Sequence, residues 1–241
     1  MPETNPGGSD SAFPTDFFQR PVTALFASTS PALLGLVMFG VASAVDPGVT
    51  WTDVRPPGEK PHPLDPGFLG LVRPNRYRTV DPESMRPNER ATVVKTAELI
   101  DSGEPSPLVD QIKTFLGLPA PTQEILAETV AGSRPPVLVL NNAQRIVGFY
   151  PLHLTVRFLE TFKRLGVSMF LGLSGTVPEG RFAFDYVFRV EGEDLKNWAT
   201  ATLTCEKGAV LGPLSGGRAS PLAELGPVAR AFEKAHRRVL E

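Results

Sequence analysis

Residues 22–45, VTALFASTSPALLGLVMFGVASAV, run for 24 positions without a charge. Such a run has two physical outcomes. It crosses a membrane, for which about 20 apolar residues suffice, or it is buried in a globular fold as more than one element. Ser28, Thr29, Ser30 and Pro31 break it in its first third. Proline lacks an amide hydrogen and suits the first helical position, and a serine just before it caps the free N–H groups there. The break predicts a buried strand over Val22–Phe26 and a helix from Pro31 to about Val45. That helix is apolar nearly all round and is expected to be buried. Two other readings are weighed: a membrane anchor formed by residues 22–45, and a signal peptide cut after Ala42-Ser43-Ala44. The first twenty residues are acidic and hold Arg20 as their single basic side chain, a poor signal-peptide start.

The chain has 241 residues, 41% hydrophobic and 21% charged, a globular composition. Its formal net charge is −2, which gives no broad electrostatic footprint for nucleic acid or for an anionic membrane. A single cysteine, Cys205, rules out an intrachain disulfide and a cysteine-built zinc site. A cytoplasmic location is expected, since a lone thiol fits a reducing interior. Proline is abundant at 25 residues, about twice average usage. Residues 1–20 read as a flexible lead-in whose Phe13, Phe17 and Phe18 are placed to dock on the body. The rest, 21–241, reads as one domain with a Pro-rich insertion at about 55–90 and a C-terminal helix.

Asp46-Pro47-Gly48 predicts a turn, and Val49–Val54 a second strand. Further strands are expected at Tyr77–Val80, at Val137–Leu140 and in VSMFLGLSG. RFAFDYVFRVEG and WATATLTCEKG read as the two arms of an antiparallel pair. Helices are expected over Glu89–Ile100, from Ser106, from Thr122, over Leu152–Leu165 ending at Gly166, and in PLAELGPVARAFEKAHRRVLE. The apolar face of the last is Leu222, Leu225, Val228 or Ala229, Phe232, Ala235 and Val239. Strands alternating with helices, then a late antiparallel pair, predict an α/β fold with a central, mostly parallel sheet.

In this layout the chain resembles the RecA/KaiC-like P-loop ATPases from about Val22 to Leu211. The resemblance implies a three-layer α/β/α domain. It sets the family's phosphate loop, G-x-x-x-x-G-K-[ST], on Ala27-Ser28-Thr29-Ser30-Pro31-Ala32-Leu33-Leu34. Ala27 and Ala32 then replace the glycines that let backbone N–H groups wrap phosphate. Leu33 replaces the lysine, and Leu34 the hydroxyl that binds magnesium. The second motif, an apolar strand ending in an acid, falls on VLVL followed by Asn141 and Asn142. A neutral amide is a poor ligand for a hard cation. Asp185 stands where an aspartate opens a strand in the family. Both motifs lack their charges, so the resemblance implies a degenerate member without catalysis.

The remaining candidates read simply. Ser28, Thr29 and Ser30 form either a remnant anion site at a helix start or a capped turn, and the turn is favoured because no cation supports a triphosphate. Asn141 and Asn142, with Arg145, end a strand where open α/β sheets place ligands. They serve either a ligand or a hydrogen-bonded strand exit. His62, His153 and His236 lack metal-ligand spacing, so neither a metal nor a cofactor is expected. Cys205 reads as a packed thiol. Lys163, Arg164, Arg237 and Arg238 read as solvated faces, and a nucleic-acid role would require them to converge with Arg73, Arg76 and Arg78. The expectation is a pseudo-ATPase acting as a regulatory or scaffolding subunit, with a protein partner or further copies of itself. Nucleic acid and membrane are not expected as partners. The alternatives are a nucleotide binder with an altered phosphate loop and the membrane-anchored form.

Overall fold

The computed structural model describes residues 13–82, 135–147, 159–160, 162–163, 166–174, 184–207 and 219–240. The uncharged run divides where its Ser-Pro break predicts. Strand β1 is Thr23–Ser28 and helix α1 is Pro31–Val45. Ser30 caps α1, its Oγ accepting from the Leu33 amide at 3.4 Å, and Pro31 occupies the first turn. The helix stops at Asp46, whose Oδ1 accepts from Gly48 N and whose Oδ2 accepts from Val137 N. Eleven of the 15 residues of α1 are buried. The membrane-anchor reading of residues 22–45 is therefore corrected: the run is a strand and a helix of the core. Among the described residues no helix is long and apolar enough to cross a membrane.

The other strands are β2 (Thr50–Val54), β3 (Tyr77–Val80), β4 (Val137–Asn141), β5 (Ser168–Ser174), β6 (Tyr186–Glu191), β7 (Thr202–Lys207) and β8 (Ala219–Pro221). They form an eight-stranded sheet in the order β3-β2-β4-β5-β1-β6-β7-β8. Every pairing from β3 across to β6 is parallel, and β6–β7 and β7–β8 are antiparallel. The fold is α/β with a mostly parallel sheet and late antiparallel strands, as expected. The expected helices at Glu89–Ile100, Ser106 and Thr122 lie outside the described residues. Of the helix expected over Leu152–Leu165, residues 159–160 and 162–163 are described and helical. Gly166 follows in the left-handed region, φ 81°, where glycine suffers no Cβ clash.

Side chains alternate across each strand, and this period builds two cores. Ala24, Phe26, Val139, Phe170, Tyr186 and Phe188 face helix α1. Leu25, Leu138, Leu140, Leu171 and Val187 face the other way, against Leu159 and Phe162. Helices on both faces of the sheet make three layers. In chain order the remaining described helices are α2 (Gln144–Val147) and α3 (Gly226–Leu240), and it is α3 that covers α1.

Phe13 and Phe17 dock into the α1-side core, with Phe18 packed against it. Phe17 meets Tyr186 edge-on at 5.1 Å. The C-terminal apolar face is largely as expected, with two differences. Leu222 lies in a short 3-10 turn before α3, and Val239 is 57% exposed.

Candidate functional site

Parallel sheets gather the carboxyl ends of their strands along one edge, and ligands of open α/β folds bind in the crevices there. Here that edge carries Ser28 from β1, Asp53 from β2, Asn141 from β4 and Ser174 from β5. The two motif regions meet there with β5 between them. Ser28 stands in register with Ser174, and Ser174 Oγ lies 3.3 Å from Asn142 Oδ1, to which it donates.

The β1–α1 connection consists of Thr29 and Ser30 alone. Ser28 Oγ accepts from Ser30 N at 3.1 Å, which tightens the turn further. An eight-position phosphate loop needs several free backbone N–H groups around its ligand, and here the Ser30 and Leu33 N–H groups are taken by the Ser28 and Ser30 hydroxyls. Ala27 is buried at the end of β1, Ala32 is half-buried in the first turn of α1, and Thr29 is exposed. Leu33 and Leu34 are 0% and 1% exposed, inside the core.

At the other end of the site, Asn142 has φ 58°, a left-handed conformation that asparagine tolerates. Its Nδ2 donates to Asp53 Oδ1 at 2.8 Å. Asn141 Nδ2 bridges two carboxylates, at 3.3 Å from Asp53 Oδ1 and 3.2 Å from Asp65 Oδ2. Gln144 donates to Ser174 Oγ at 2.8 Å and accepts from Ser174 N at 3.2 Å. The asparagine pair thus forms a hydrogen-bonded strand exit.

The Pro-rich segment folds over this edge. Asp65 Oδ1 accepts from Gly67 N and Phe68 N at 2.8 and 3.1 Å, closing a turn. Arg145 joins through a two-pronged pair with Glu59 at 2.6 and 2.7 Å. Arg55 Nε lies 3.0 Å from Asp53 Oδ2, and its guanidinium also donates to the Glu59 carbonyl. Asp53 and Asp65, neither singled out from the sequence, are 2% and 4% exposed. Burial, then the neighbouring Asp53 charge, pushes the Asp65 carboxyl up to about 6. Burial also raises Asp53, against the pull of Asn142, Arg55 and Asn141. Burial and the two carboxylates push the Tyr77 phenol up to about 12. The signals in the sequence were a charge within a short strand, Asp53, and an Asp-Pro-Gly turn at Asp65.

Comparison with protein-family models and with curated proteins finds no match to this chain. Asp185 sits at the opposite, amino-terminal edge. It accepts from Thr23 N at 2.8 Å and from Lys163 Nζ at 2.6 Å, tying β1, β6 and a helix together. His62 is exposed and its Nδ1 accepts from Leu64 N. His236 is exposed on α3, while His153 and Arg164 lie outside the described residues. No group of three or more metal-binding side chains occurs among the described residues. Cys205 is half-buried, and burial pushes its thiol up to about 12. A thiol so far above neutrality is a poor nucleophile.

Proposed function

We propose that this chain is a RecA/KaiC-like pseudo-ATPase, a regulatory or scaffolding subunit that acts by binding protein and not by turning over nucleotide. The observation that carries the reading is the burial of Leu33 and Leu34 at the positions of the lysine and the metal-binding hydroxyl. A cation there would be enclosed in hydrocarbon with no phosphate in reach. The two-residue turn after β1 and the Asp53–Asn142–Ser174 network support the same reading. Two motif regions far apart in sequence meet at one sheet edge, as the resemblance requires, and the chain's own side chains satisfy one another there. We take the cytoplasm as its compartment, because a lone thiol is stable in a reducing interior.

The test is a titration with a fluorescent ATP analogue, with and without magnesium, and competition by unlabelled ATP. The expected result is no competed binding up to about millimolar, where the binding free energy is only about −4 kcal/mol. Competed, magnesium-dependent binding in the micromolar range would sink the reading and establish a nucleotide binder with an altered phosphate loop.

A further inference from the structure

A groove opens far from the sheet's carboxyl edge, where the C-terminal half of α1, the start of β2 and the turn at residues 70–73 meet α3. It encloses about 290 Å³ and adjoins a shallower hollow of about 460 Å³. Its floor is hydrocarbon, contributed by Phe39, Val49, Val72 and Ala231. Its rim is cationic, with Arg73, Arg230 and Lys234 exposed around it. The adjoining hollow shares Leu71 and Lys234 and adds Arg237 and Arg238. Among the described residues no carboxylate lines either one, and Glu233, the single acid of α3, lies outside both. Arg237 and Arg238 have an ordinary role as cations at a helix C-terminus. Arg230 and Lys234 lie further back along the helix and Arg73 comes from another segment, so the helix dipole does not explain them.

We propose that this groove docks an acidic peptide segment of a partner protein, its carboxylates on the cationic rim and an apolar side chain on the floor. Charge complementarity selects the sign of the partner, and the hydrocarbon floor selects a peptide over a nucleic-acid backbone. A polynucleotide would use an extended basic track with stacking platforms, on a chain whose net charge here is −2. The groove lies at the amino end of β2, so this proposal stands whether or not the carboxyl edge binds nucleotide.

The test is fluorescence anisotropy on the full chain, with a labelled peptide of alternating glutamate and leucine as probe. Three controls accompany it: serine in place of leucine, lysine in place of glutamate, and single-stranded oligothymidylate. The Glu/Leu peptide is expected to bind, more weakly as salt rises. Arg73→Glu and Lys234→Glu should each weaken it about tenfold or more, near 1.4 kcal/mol per tenfold. Lys196→Glu, an exposed charge reversal away from the groove, should leave it unchanged. All three variants change exposed side chains, and equal Tm values check that each is folded. The proposal is overturned if the Glu/Leu peptide does not bind, if the serine version binds equally well, or if Lys196→Glu is as damaging as the groove variants. Tighter binding of oligothymidylate overturns it in favour of nucleic acid. A dimer of the free chain that Arg73→Glu dissociates overturns it in favour of a second copy.

Discussion

Replacing Leu33 with lysine supplies, in sequence, the cation that a phosphate loop needs. In space it supplies a charge to hydrocarbon. Leu33 is fully buried, and its Cδ1 lies within 2.9 Å of where a Cβ on Gly192 would stand. A buried charge without a partner costs on the order of 3–5 kcal/mol. At about 2–4 °C per kcal/mol for a domain of this size, Leu33→Lys should lower Tm by roughly 10 °C and gain no affinity for ATP. Thermal unfolding and the anisotropy titration check both halves; nucleotide binding without loss of stability would show that residue 33 faces a usable site. Gly67 is constrained in the opposite way, by contact and not by charge. A Cβ there would fall 1.9 Å from the Tyr77 ring. Gly67→Ala should therefore displace that ring and loosen the turn that Asp65 holds over the strand ends. The readout is a shift in Tyr77 fluorescence or its NMR signals, and an unmoved ring would refute the close approach.

At the scale of elements, α1 is the piece on which the fold turns, because it is covered by the sheet on one side and α3 on the other. Gly40 makes the second contact possible. A Cβ at Gly40 would lie 2.7 Å from Val228 Cα and 3.0 Å from the Pro227 carbonyl oxygen, both backbone atoms. Gly35 faces the Pro66 ring at 3.3 Å, a milder approach. Alanine gains roughly 1 kcal/mol of helix propensity at either position. At Gly40 overpacking against backbone costs about 1–3 kcal/mol and wins. Gly40→Ala should lower Tm by several degrees, and Gly35→Ala should be neutral or slightly stabilising. Equal Tm values for the two variants would refute the close crossing of α1 and α3. The ends of α1 were legible because Ser-Pro and Asp-Pro-Gly are strong local signals. β8 was not, because three residues carry no period. The start of α3 was obscured by Leu222 and Leu225, which continue its apolar face from a 3-10 turn. Asp53 and Asp65 were illegible as a site because Asn141, which joins them, lies 88 and 76 residues away. No local pattern records a contact of that range.

For the molecule as a whole, two carboxyl groups, Asp65 buried and Asp185 half-buried, set opposite demands on pH. Asp65 is raised from 3.8 to about 6, so the folded state holds its proton more tightly than the unfolded chain does. Its contribution to stability is fully present below about 4 and is lost as pH rises through about 6. Asp185 behaves the other way. Burial pulls its carboxyl upward, but Lys163 and Thr23 outweigh burial and hold it below its ordinary value. Its contribution is present above the ordinary value and is lost as pH falls through the folded one. Together these groups favour a stability maximum near about pH 4, with the alkaline flank belonging to Asp65 and to the raised Asp53 beside it, and the acid flank to Asp185. Asp65→Asn keeps an oxygen for the Gly67 and Phe68 amides while removing the buried charge. It should reduce the alkaline flank, of which Asp53 keeps a part, and leave the acid one. Asp185→Asn should flatten the acid flank and lower stability at neutral pH by removing the Lys163 pair. Denaturant midpoints of these proteins and of Asp53→Asn, measured across pH 3 to 8, separate the two flanks. An alkaline flank that persists both in Asp65→Asn and in Asp53→Asn would mean that the polar closure of the strand ends is not what titrates, and the account of that edge as a self-satisfied network would fail with it.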